Sequence, residues 1–284
     1  LEGVPVLDHI ALQWFDRYLK DMPSGAENLP NVTQWVWGEE HFETAADWPH
    51  PQARALRLYL QPGGGLAPAM PAAGGAPTMV VQQPFNGICS ESSMQISIGL
   101  FAYAPLPCWY EDNLVQSLEA VFETEPLAED MYINGPMQAD IYLSTTALNA
   151  GVVVRVSDVD EGGTAHSRSS GLLTASLRAV DETKSRYLDG QMIQPWHPFT
   201  QDSVQSVGIG NVVKAPVEIF HSAMLIRQGH RLRISVGASN FPFAAMPAPN
   251  LALSVAGLLS VYSDVEHPSS VVLPVVPVAV LRNR

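Results

Sequence analysis

The sequence predicts a mainly β protein, a β-sandwich or jelly roll. From about Met131 to Leu281, short apolar runs rich in Val, Ile, Leu and Tyr follow one another, and several alternate with polar residues, as half-buried strands do. Turn-forming segments such as 160–163 and 228–230 separate these runs. Many short strands with no helical pattern between them favour a sandwich or jelly roll over an α/β architecture. We expect strands at Ala139–Ser144, Val152–Val156, Leu172–Leu177, Val217–Phe220, Arg231–Val236, Leu251–Val255, Leu258–Tyr262 and Val271–Val276.

The first 22 residues contain a different element, an amphipathic helix. Asp8 lies near its start and Arg17 and Lys20 near its end, which suits the helix dipole. We therefore expect a helical segment at 1–22 and a β-sandwich domain at 23–284. The apolar face of the helix comprises Leu7, Ile10, Ala11, Trp14, Phe15, Tyr18 and Leu19.

An irregular excursion at about 62–130 interrupts the predicted sandwich. It begins with a flexible loop of Gly, Ala and Pro at 62–77 and continues without regular periodicity. Short apolar pieces precede it, and alternation is clear in Arg57-Leu58-Tyr59-Leu60. The excursion is therefore the part of the chain whose structure is least determined by local pattern.

Composition argues against several classes of partner. The chain has 284 residues with 15 Lys and Arg against 28 Asp and Glu, a net charge of -13. An acidic surface disfavours nucleic acid and anionic membranes, because phosphate groups are bound by clustered Lys and Arg. No apolar run reaches the ~18 residues of a membrane helix. We expect neither nucleic-acid nor membrane partners.

Motifs for metals, cofactors and nucleophilic serines are also missing from the sequence. No C-x-x-C or H-x-x-x-H spacing and no glycine-rich phosphate loop occurs, so we expect no metal and no cofactor. Asp158 and Asp160 lack the further ligands of a calcium loop, because Ser169 stands where the EF-hand glutamate belongs. No G-x-S-x-G elbow is present. Ser90, Ser92 and Ser93 are interpreted as polar residues of a loop or strand.

Two segments carry a resemblance to a known family. Residues 135–178 read GPMQADIYLSTTALNAGVVVRVSDVDEGGTAHSRSSGLLTASLR, and residues 216–242 read PVEIFHSAMLIRQGHRLRISVGASNFP. Together they resemble the C-terminal β-sandwich of the serine hydrolases that include cocaine esterase and the X-Pro dipeptidyl-peptidases. The segment LDHIALQWFDRYLKD resembles the last helix of that family's hydrolase domain. The resemblance implies a jelly-roll β-sandwich of the galactose-binding-like type, with an N-terminal helix left from an α/β-hydrolase domain.

The resemblance also implies a function. The chain begins at Leu1 and lacks the nucleophile motif, so we expect a truncated or processed piece of a serine hydrolase acting on ester or amide bonds. The parent would be an esterase, an acylase or an X-Pro dipeptidyl-peptidase whose catalytic triad lies in a preceding α/β domain. This chain would cover the active-site cleft and help to bind a small-molecule or peptide substrate. Alone it is predicted to be inactive.

The cysteines Cys89 and Cys108 allow two interpretations. A disulfide would close a loop within the excursion and indicate an oxidising compartment, whereas two buried free thiols are the alternative. The resemblance favours the disulfide, because related secreted members carry a similar pair. It accordingly implies a secreted or extracytoplasmic location.

Candidate substrate-binding residues flank these cysteines. If the excursion lies over the cleft, Trp109 and Tyr110 could form an apolar wall, and Glu111 or Asp112 could attract a substrate's ammonium group. Phe85 belongs to the loop that approaches the active site in the family, although the usual Tyr-Asp-Pro form is absent here. The alternative is that these residues only anchor and solubilise a loop.

Polar residues on the predicted strands are expected to be structural. The resemblance implies that Arg155, Arg178 and Arg233 join buried hydrogen-bond networks or an interface with the hydrolase domain. His230, at a turn entering a strand, is expected to bond to a neighbouring backbone carbonyl, and His197 is also interpreted as structural.

A different class of function stays open. Jelly-roll domains also serve as carbohydrate-binding modules, and the six Trp and eight Tyr of this chain would supply aromatic platforms. The apolar helix face argues for a docked domain instead, or for self-association into a homo-oligomer.

Overall fold

The computed structural model describes residues 7–96 and 106–282. About 40% of the chain is strand and 17% is helix, so the predicted mainly β class is confirmed. The helices are α1 (Leu7–Lys20), α2 (Glu91–Ile96), α3 (Asn113–Gln116), α4 (Ala248–Ser254) and α5 (Ala279–Arg282). The strands are β1 (Val32–Val36), β2 (His41–Ala45), β3 (Arg54–Leu60), β4 (Leu66–Ala67), β5 (Thr78–Val81), β6 (Ala120–Glu123), β7 (Met131–Thr145), β8 (Gly151–Val159), β9 (Ala165–Thr174), β10 (Arg186–Leu188), β11 (Gln191–Gln194), β12 (Val213–Ile226), β13 (Arg231–Gly237), β14 (Leu258–Val261) and β15 (Ser270–Val276).

One large antiparallel sheet organises the fold. Its strand order is β4-β3-β15-β7-β12-β9-β8-β13-β6, and β14 links β5 to β7. The two ends of this order meet, because Gly65 beside β4 forms a bridge with Glu123 of β6, whose N–H donates to the Gly64 carbonyl at 2.8 Å. The sheet thus bends round until it nearly closes, and its inner surfaces face one another across a shared core, as in a β-sandwich.

The longest strands are buried along most of their length, and their sequences explain why. Every residue of β8, GVVVRVSDV, is buried, and β7 is buried at nearly every position. Such strands lie between neighbours on both sides and have no solvated face, so they favour continuous β-branched runs over strict alternation. Strand β12 pairs with β7 over most of its length, with a register shift between Ile219 and Ser222 that bends the sheet.

Two apolar clusters form the core. The larger one fills the space inside the bent sheet with side chains such as Phe122, Ile141, Val154 and Ile234. A smaller cluster joins the hairpin of β1 and β2 and the helix α5 to the outside of the sheet. It includes Tyr132, whose hydroxyl accepts a hydrogen bond from Asn134 Nδ2 at 2.6 Å. Burial raises the pKa of Tyr132 to about 12.

One predicted strand is wrong. Residues 251–255 lie in and just after the helix α4, which begins at Ala248 with prolines at and beside its start. Proline preorganises the first helical turn, because its fixed φ suits the helix and its missing N–H would have no partner there. The other seven predicted strands overlap observed strands, although the end of the third turns into a 3-10 helix at Ala175–Leu177.

The predicted N-terminal helix is present as α1, but no described residue of the sandwich covers it. None of its residues is buried, and its neighbour is a short 3-10 helix at Ala26–Asn28. Trp14 and Tyr18 stack on one another with ring centroids 4.5 Å apart. Within the described residues, no helix is long and apolar enough to cross a membrane.

Candidate functional site

A disulfide joins the two segments that carry the predicted substrate-binding residues, the segment of Phe85 and the segment 109–112. Cys89 and Cys108 are bonded, with Cα atoms 5.2 Å apart, so the predicted pair is confirmed. The bond holds the segment before α2 against the segment that follows residues 97–105, which lie outside the described residues. Trp109 strengthens the junction, because its indole Nε1–H donates to the Ile88 carbonyl at 3.0 Å.

The structure divides the five predicted substrate-binding residues into exposed and buried groups. Phe85 and Tyr110 expose more than half of their surface, and Glu111 is half-buried. Trp109 and Asp112 are buried. The disulfide joins the two segments that contain all five residues. Only Phe85, Tyr110 and Glu111 present side chains that a ligand could reach. A contact with substrate stays a prediction for each of the five.

Asp112 connects the excursion to the sheet. Its Oδ1 accepts the backbone N–H of Glu91 at 2.8 Å, at the first residue of α2, and its own N–H donates to the Ala165 carbonyl at 2.9 Å. Burial raises the pKa of the Asp112 carboxyl, and the charge of Arg155 opposes that rise. Asp112 is thus a buried anchor for α2.

A histidine extends this anchor. The Glu91 carboxylate lies 2.7 Å from His166 Nδ1 on β9. Burial is the largest influence on Glu91 and raises its pKa, whereas the hydrogen bond with His166 lowers it. The pair ties the first turn of α2 to the sheet, 75 positions away in the sequence.

A buried ion pair between Arg155 and Glu119 also supports the candidate site. Arg155 on β8 is fully buried, and its Nε donates to Glu119 Oε1 at 3.1 Å. Its Nη1 donates to Asn240 Oδ1 at 2.9 Å, and the Ser235 hydroxyl donates to Glu119 Oε2 at 2.6 Å. Burial raises the pKa of Glu119, and Arg155 and Ser235 work against it. Arg155 thus pairs with the Glu119 carboxylate and the Asn240 side-chain oxygen inside the sheet, whereas Asn240 Nδ2 has no partner within the described residues.

The network also positions the loop that carries Phe85. Gly87 adopts a φ of +132°, and a Cβ there would lie 2.6 Å from the Phe241 carbonyl oxygen and 3.0 Å from Asn240 Oδ1. Only glycine allows the backbone to approach so closely in this conformation. Phe85 then packs edge-on against Phe241, with ring centroids 5.4 Å apart.

The serines beside the disulfide hold the turn. The hydroxyl of Ser90 donates to the Gly87 carbonyl at 2.6 Å, and that of Ser93 reaches the carbonyls of Gly87 and Ile88 at 2.9 and 2.7 Å. Ser90 lies in the turn as expected, whereas Ser92 and Ser93 lie in α2 and not in a loop or strand. In the described part of the chain, no group of three or more His, Cys, Asp or Glu residues could hold a metal ion.

The remaining structural expectations have mixed outcomes. Arg155 joins a buried network as expected, and Arg178 donates to the carbonyls of Ala175, Gln205 and Ser206. The expectation for His230 is wrong, because its Nδ1 lies 2.8 Å from the carboxylate of Asp158 on the adjacent strand, not beside a backbone carbonyl. His197 does have carbonyl neighbours, with both ring nitrogens 2.9 Å from the backbone oxygens of Ala179 and Pro216.

Sequence reasoning did not find Glu91, Glu119, His166 or Ser235. Their partners lie 36 to 116 positions away, so no spacing signal connects them. The only local indication is a charged Glu119 directly before an apolar strand, which is also compatible with an exposed turn.

Comparisons with known proteins identify the family. The model of the X-Pro dipeptidyl-peptidase C-terminal non-catalytic domain matches residues 24–272. The chain belongs to this family. A Mycobacterium bovis protein named as a candidate serine esterase is 24% identical over 277 residues, which cover 96% of this chain and 42% of that protein. Cocaine esterase of a Rhodococcus species is 20% identical over 282 residues, covering 93% and 45%.

A solved structure supports the fold. The CocE/NonD family hydrolase of Staphylococcus aureus superposes with a TM-score of 0.68 at 18% identity, over 95% of this chain and 46% of that protein. The chain thus spans less than half the length of the relatives that it matches. The family resemblance inferred from the sequence is confirmed.

Proposed function

We propose that this chain is the C-terminal domain of a serine hydrolase that cleaves ester or amide bonds. The catalytic triad would lie in a preceding α/β-hydrolase domain, and this chain would cover the cleft and contribute to substrate binding. The family match over residues 24–272 carries the proposal, together with relatives that are named esterases and are more than twice as long.

The uncovered face of α1 supports a preceding domain. Trp14, Phe15 and Tyr18 are each at least 50% exposed, and Leu19 is 76% exposed. A contiguous apolar face of this kind is unfavourable in water and is typical of a surface that packs against a partner. The occupant that we propose is the hydrolase domain. Pairing of two copies through α1, which would give a homo-oligomer, is the competing outcome.

The excursion supports a role at the cleft. Phe85 and Tyr110 are exposed aromatic side chains on a segment that is fixed by the disulfide, by Trp109 and by the Asp112 anchor. A rigid aromatic surface loses little conformational entropy when a ligand binds. In this proposal Phe85 and Tyr110 contact the substrate, the half-buried Glu111 attracts a substrate ammonium group, and the buried Trp109 and Asp112 position the other three.

The disulfide also bears on location. Disulfides persist in oxidising compartments, so the Cys89–Cys108 bond supports a secreted or extracytoplasmic protein. Fractionation of the native cells, with detection by an antibody against this chain, tests this part of the proposal. Recovery solely from the reducing cytoplasm would contradict it.

The decisive experiment is an intact mass and N-terminal sequence of the protein from its native source, followed by an activity assay. We expect a polypeptide about twice this size that contains G-x-S-x-G, hydrolyses p-nitrophenyl esters or amino-acid p-nitroanilides, and loses activity to a serine-directed phosphonate. This chain alone should show no hydrolysis. A native product that begins at Leu1 and has no associated partner would sink the hydrolase proposal.

A pair of variants in the longer protein tests the docking of α1. Trp14→Glu places a charge on the apolar face, and His9→Glu places the same charge on an exposed residue outside it. We expect the first change to lower the melting temperature and the hydrolytic activity, and the second to leave both within error. Equal effects would show that α1 does not dock through this face.

A further inference from the structure

A cavity of about 330 Å³ lies at one end of the sandwich. Its walls come from the segments 82–85, 151–153, 172–174, 238–241 and 244–247. The first segment belongs to the excursion, the next two belong to β8 and β9, and the last two follow β13. The volume is in the range of cavities that bind small organic molecules, about 300–1,000 Å³.

The lining of the cavity is neutral and mostly apolar. Side chains such as Phe85, Leu173, Phe241 and Met246 supply carbon surface, and none of the described residues that line it is Asp, Glu, Lys, Arg or His. A charged ligand would lose its hydration there without meeting an opposite charge. The net charge of -13 disfavours anions further. The chemistry of the lining therefore selects a neutral ligand with a large apolar part.

Two buried polar atoms in the lining, Gln82 Oε1 and Asn240 Nδ2, have no hydrogen-bond partner within the described residues, and the second is a donor. Asn240 is fully buried, and its Oδ1 is engaged by Arg155, which is not part of the lining. The Asn240 amide nitrogen, Nδ2, has no hydrogen-bond partner within the described residues. A buried N–H₂ group without a hydrogen-bond partner is unfavourable, so a ligand oxygen that accepts its hydrogen bond would be favoured.

The wall formed by Met246 is held in place by close packing. Gly151 begins β8, and a Cβ there would lie 2.3 Å from the Ala238 carbonyl oxygen and 2.4 Å from Met246 Cε. The missing side chain lets Met246 rest directly on the strand. Ser254 Oγ also lies 3.3 Å from Met246 Sδ. The cavity is therefore preformed, which reduces the entropy that a ligand loses on binding.

We propose that this cavity binds a neutral small molecule with an aryl or branched alkyl body and one hydrogen-bond acceptor, such as the carbonyl of an amide. The apolar body fills the space between Phe85, Leu173 and Met246, and the carbonyl oxygen accepts from Asn240 Nδ2. The cavity shares Phe85 with the proposed substrate surface, but it goes beyond the proposed function, because all of its walls lie within this chain and binding needs no hydrolase domain.

The test is calorimetric titration of the complete chain with 4-phenylbutanamide. We expect a dissociation constant on the order of 1 mM or tighter for a ligand of this size. Two compounds of the same shape serve as controls. The anion 4-phenylbutanoate lacks neutrality and butylbenzene lacks the acceptor, and each should bind at least about tenfold more weakly.

Two variants locate the site. Ala244→Trp fills the cavity and should abolish detectable binding, whereas Ala248→Trp, on an exposed residue outside the lining, should leave it unchanged. Asn240→Asp keeps the oxygen that faces Arg155 but removes the donor, so the amide should bind about tenfold more weakly while butylbenzene is unaffected. Thermal melting of each variant checks that it is folded.

The titrations separate the existence of the binding site from the role of Asn240. If the amide does not bind to the folded wild-type chain, or binds equally well to folded Ala244→Trp, the cavity is not the proposed binding site. Equal affinities for the amide and butylbenzene would overturn the role of Asn240. Because the titration uses this chain alone, a failure of the hydrolase proposal would not alter its result.

Discussion

The sandwich and the excursion are stabilised in opposite ways. In the sandwich, strands such as β7 and β8 are buried almost throughout and share long ladders with their neighbours. The described residues of the excursion around α2 form no long ladders and are held by a disulfide, by Asp112 and by the close approach of Gly87 to Asn240. Many small apolar contacts thus stabilise one region, and a few specific bonds stabilise the other.

The sandwich and the excursion should respond differently to a single substitution. Removing one methyl group from an extended core costs about 1 kcal/mol and leaves the rest in place. Removing one bond from a region with few bonds releases a whole segment, which can open without unfolding the protein. The ion pair of Arg155 and Glu119 lies where the two regions meet, so it should matter to both.

The largest effect is expected for Arg155→Met. The change leaves Glu119 buried without its counter-ion, and breaking a buried pair in this way typically costs about 3–5 kcal/mol. Denaturant unfolding measures the loss in the free energy of unfolding. The double variant with Glu119→Leu removes both charges and should recover a large part of the loss. If the single variant is as stable as the wild type, the ion pair does not link the two regions.

Removal of the disulfide should have the next largest effect. Cys89→Ser with Cys108→Ser opens a loop of 19 residues, which by chain entropy lowers the free energy of unfolding by ~3 kcal/mol. Hydrogen exchange should show lost protection in α2 and at Trp109, with β7 and β8 retaining theirs. Uniform loss of protection across both regions would contradict the contrast between them.

Gly87→Ala is expected to cost about 1–3 kcal/mol, because alanine is strained at a φ of +132° and its Cβ would meet the Phe241 carbonyl. The matched control is Gly74→Ala, where φ is ordinary and a Cβ would meet no atom within 4 Å. Urea unfolding of both variants measures the difference. If Gly74→Ala lowers the free energy of unfolding as much as Gly87→Ala does, the close approach of Gly87 to Phe241 does not explain the loss.

The smallest effect is a pH dependence from Asp112. Burial raises its folded pKa above the value in the unfolded chain, so the folded state binds the proton more tightly. The contribution to stability is therefore greatest in acid, and it declines as the pH rises from the ordinary carboxyl pKa through the raised one. Asp112→Asn should flatten this decline at pH values above the ordinary carboxyl pKa of about 4, whereas Asn at the exposed Asp202 should not.

Local pattern was sufficient for much of the fold and little of the site. Runs such as 152–156 consist of valines apart from Arg155, and valine favours strands, so these strands could be predicted, as could α1 from its apolar periodicity. The segment 251–255 has the same apolar content but follows two prolines that start a helix, and the composition of the segment alone did not reveal this.

The sequence by itself determined the family, the mainly β class, the apolar helix and the two cysteines available for bonding. The family follows from the resemblance carried by residues 135–178 and 216–242, whereas the mainly β class and the helix follow from composition and periodicity, which act over a few neighbouring residues. The tertiary structure alone decided that Arg155 meets Glu119 and Asn240, that Glu91 meets His166, and that the segments around Gly151 and Met246 enclose a cavity. Those contacts join residues that are far apart in the chain. Only the pairing order of the strands brings such residues close together.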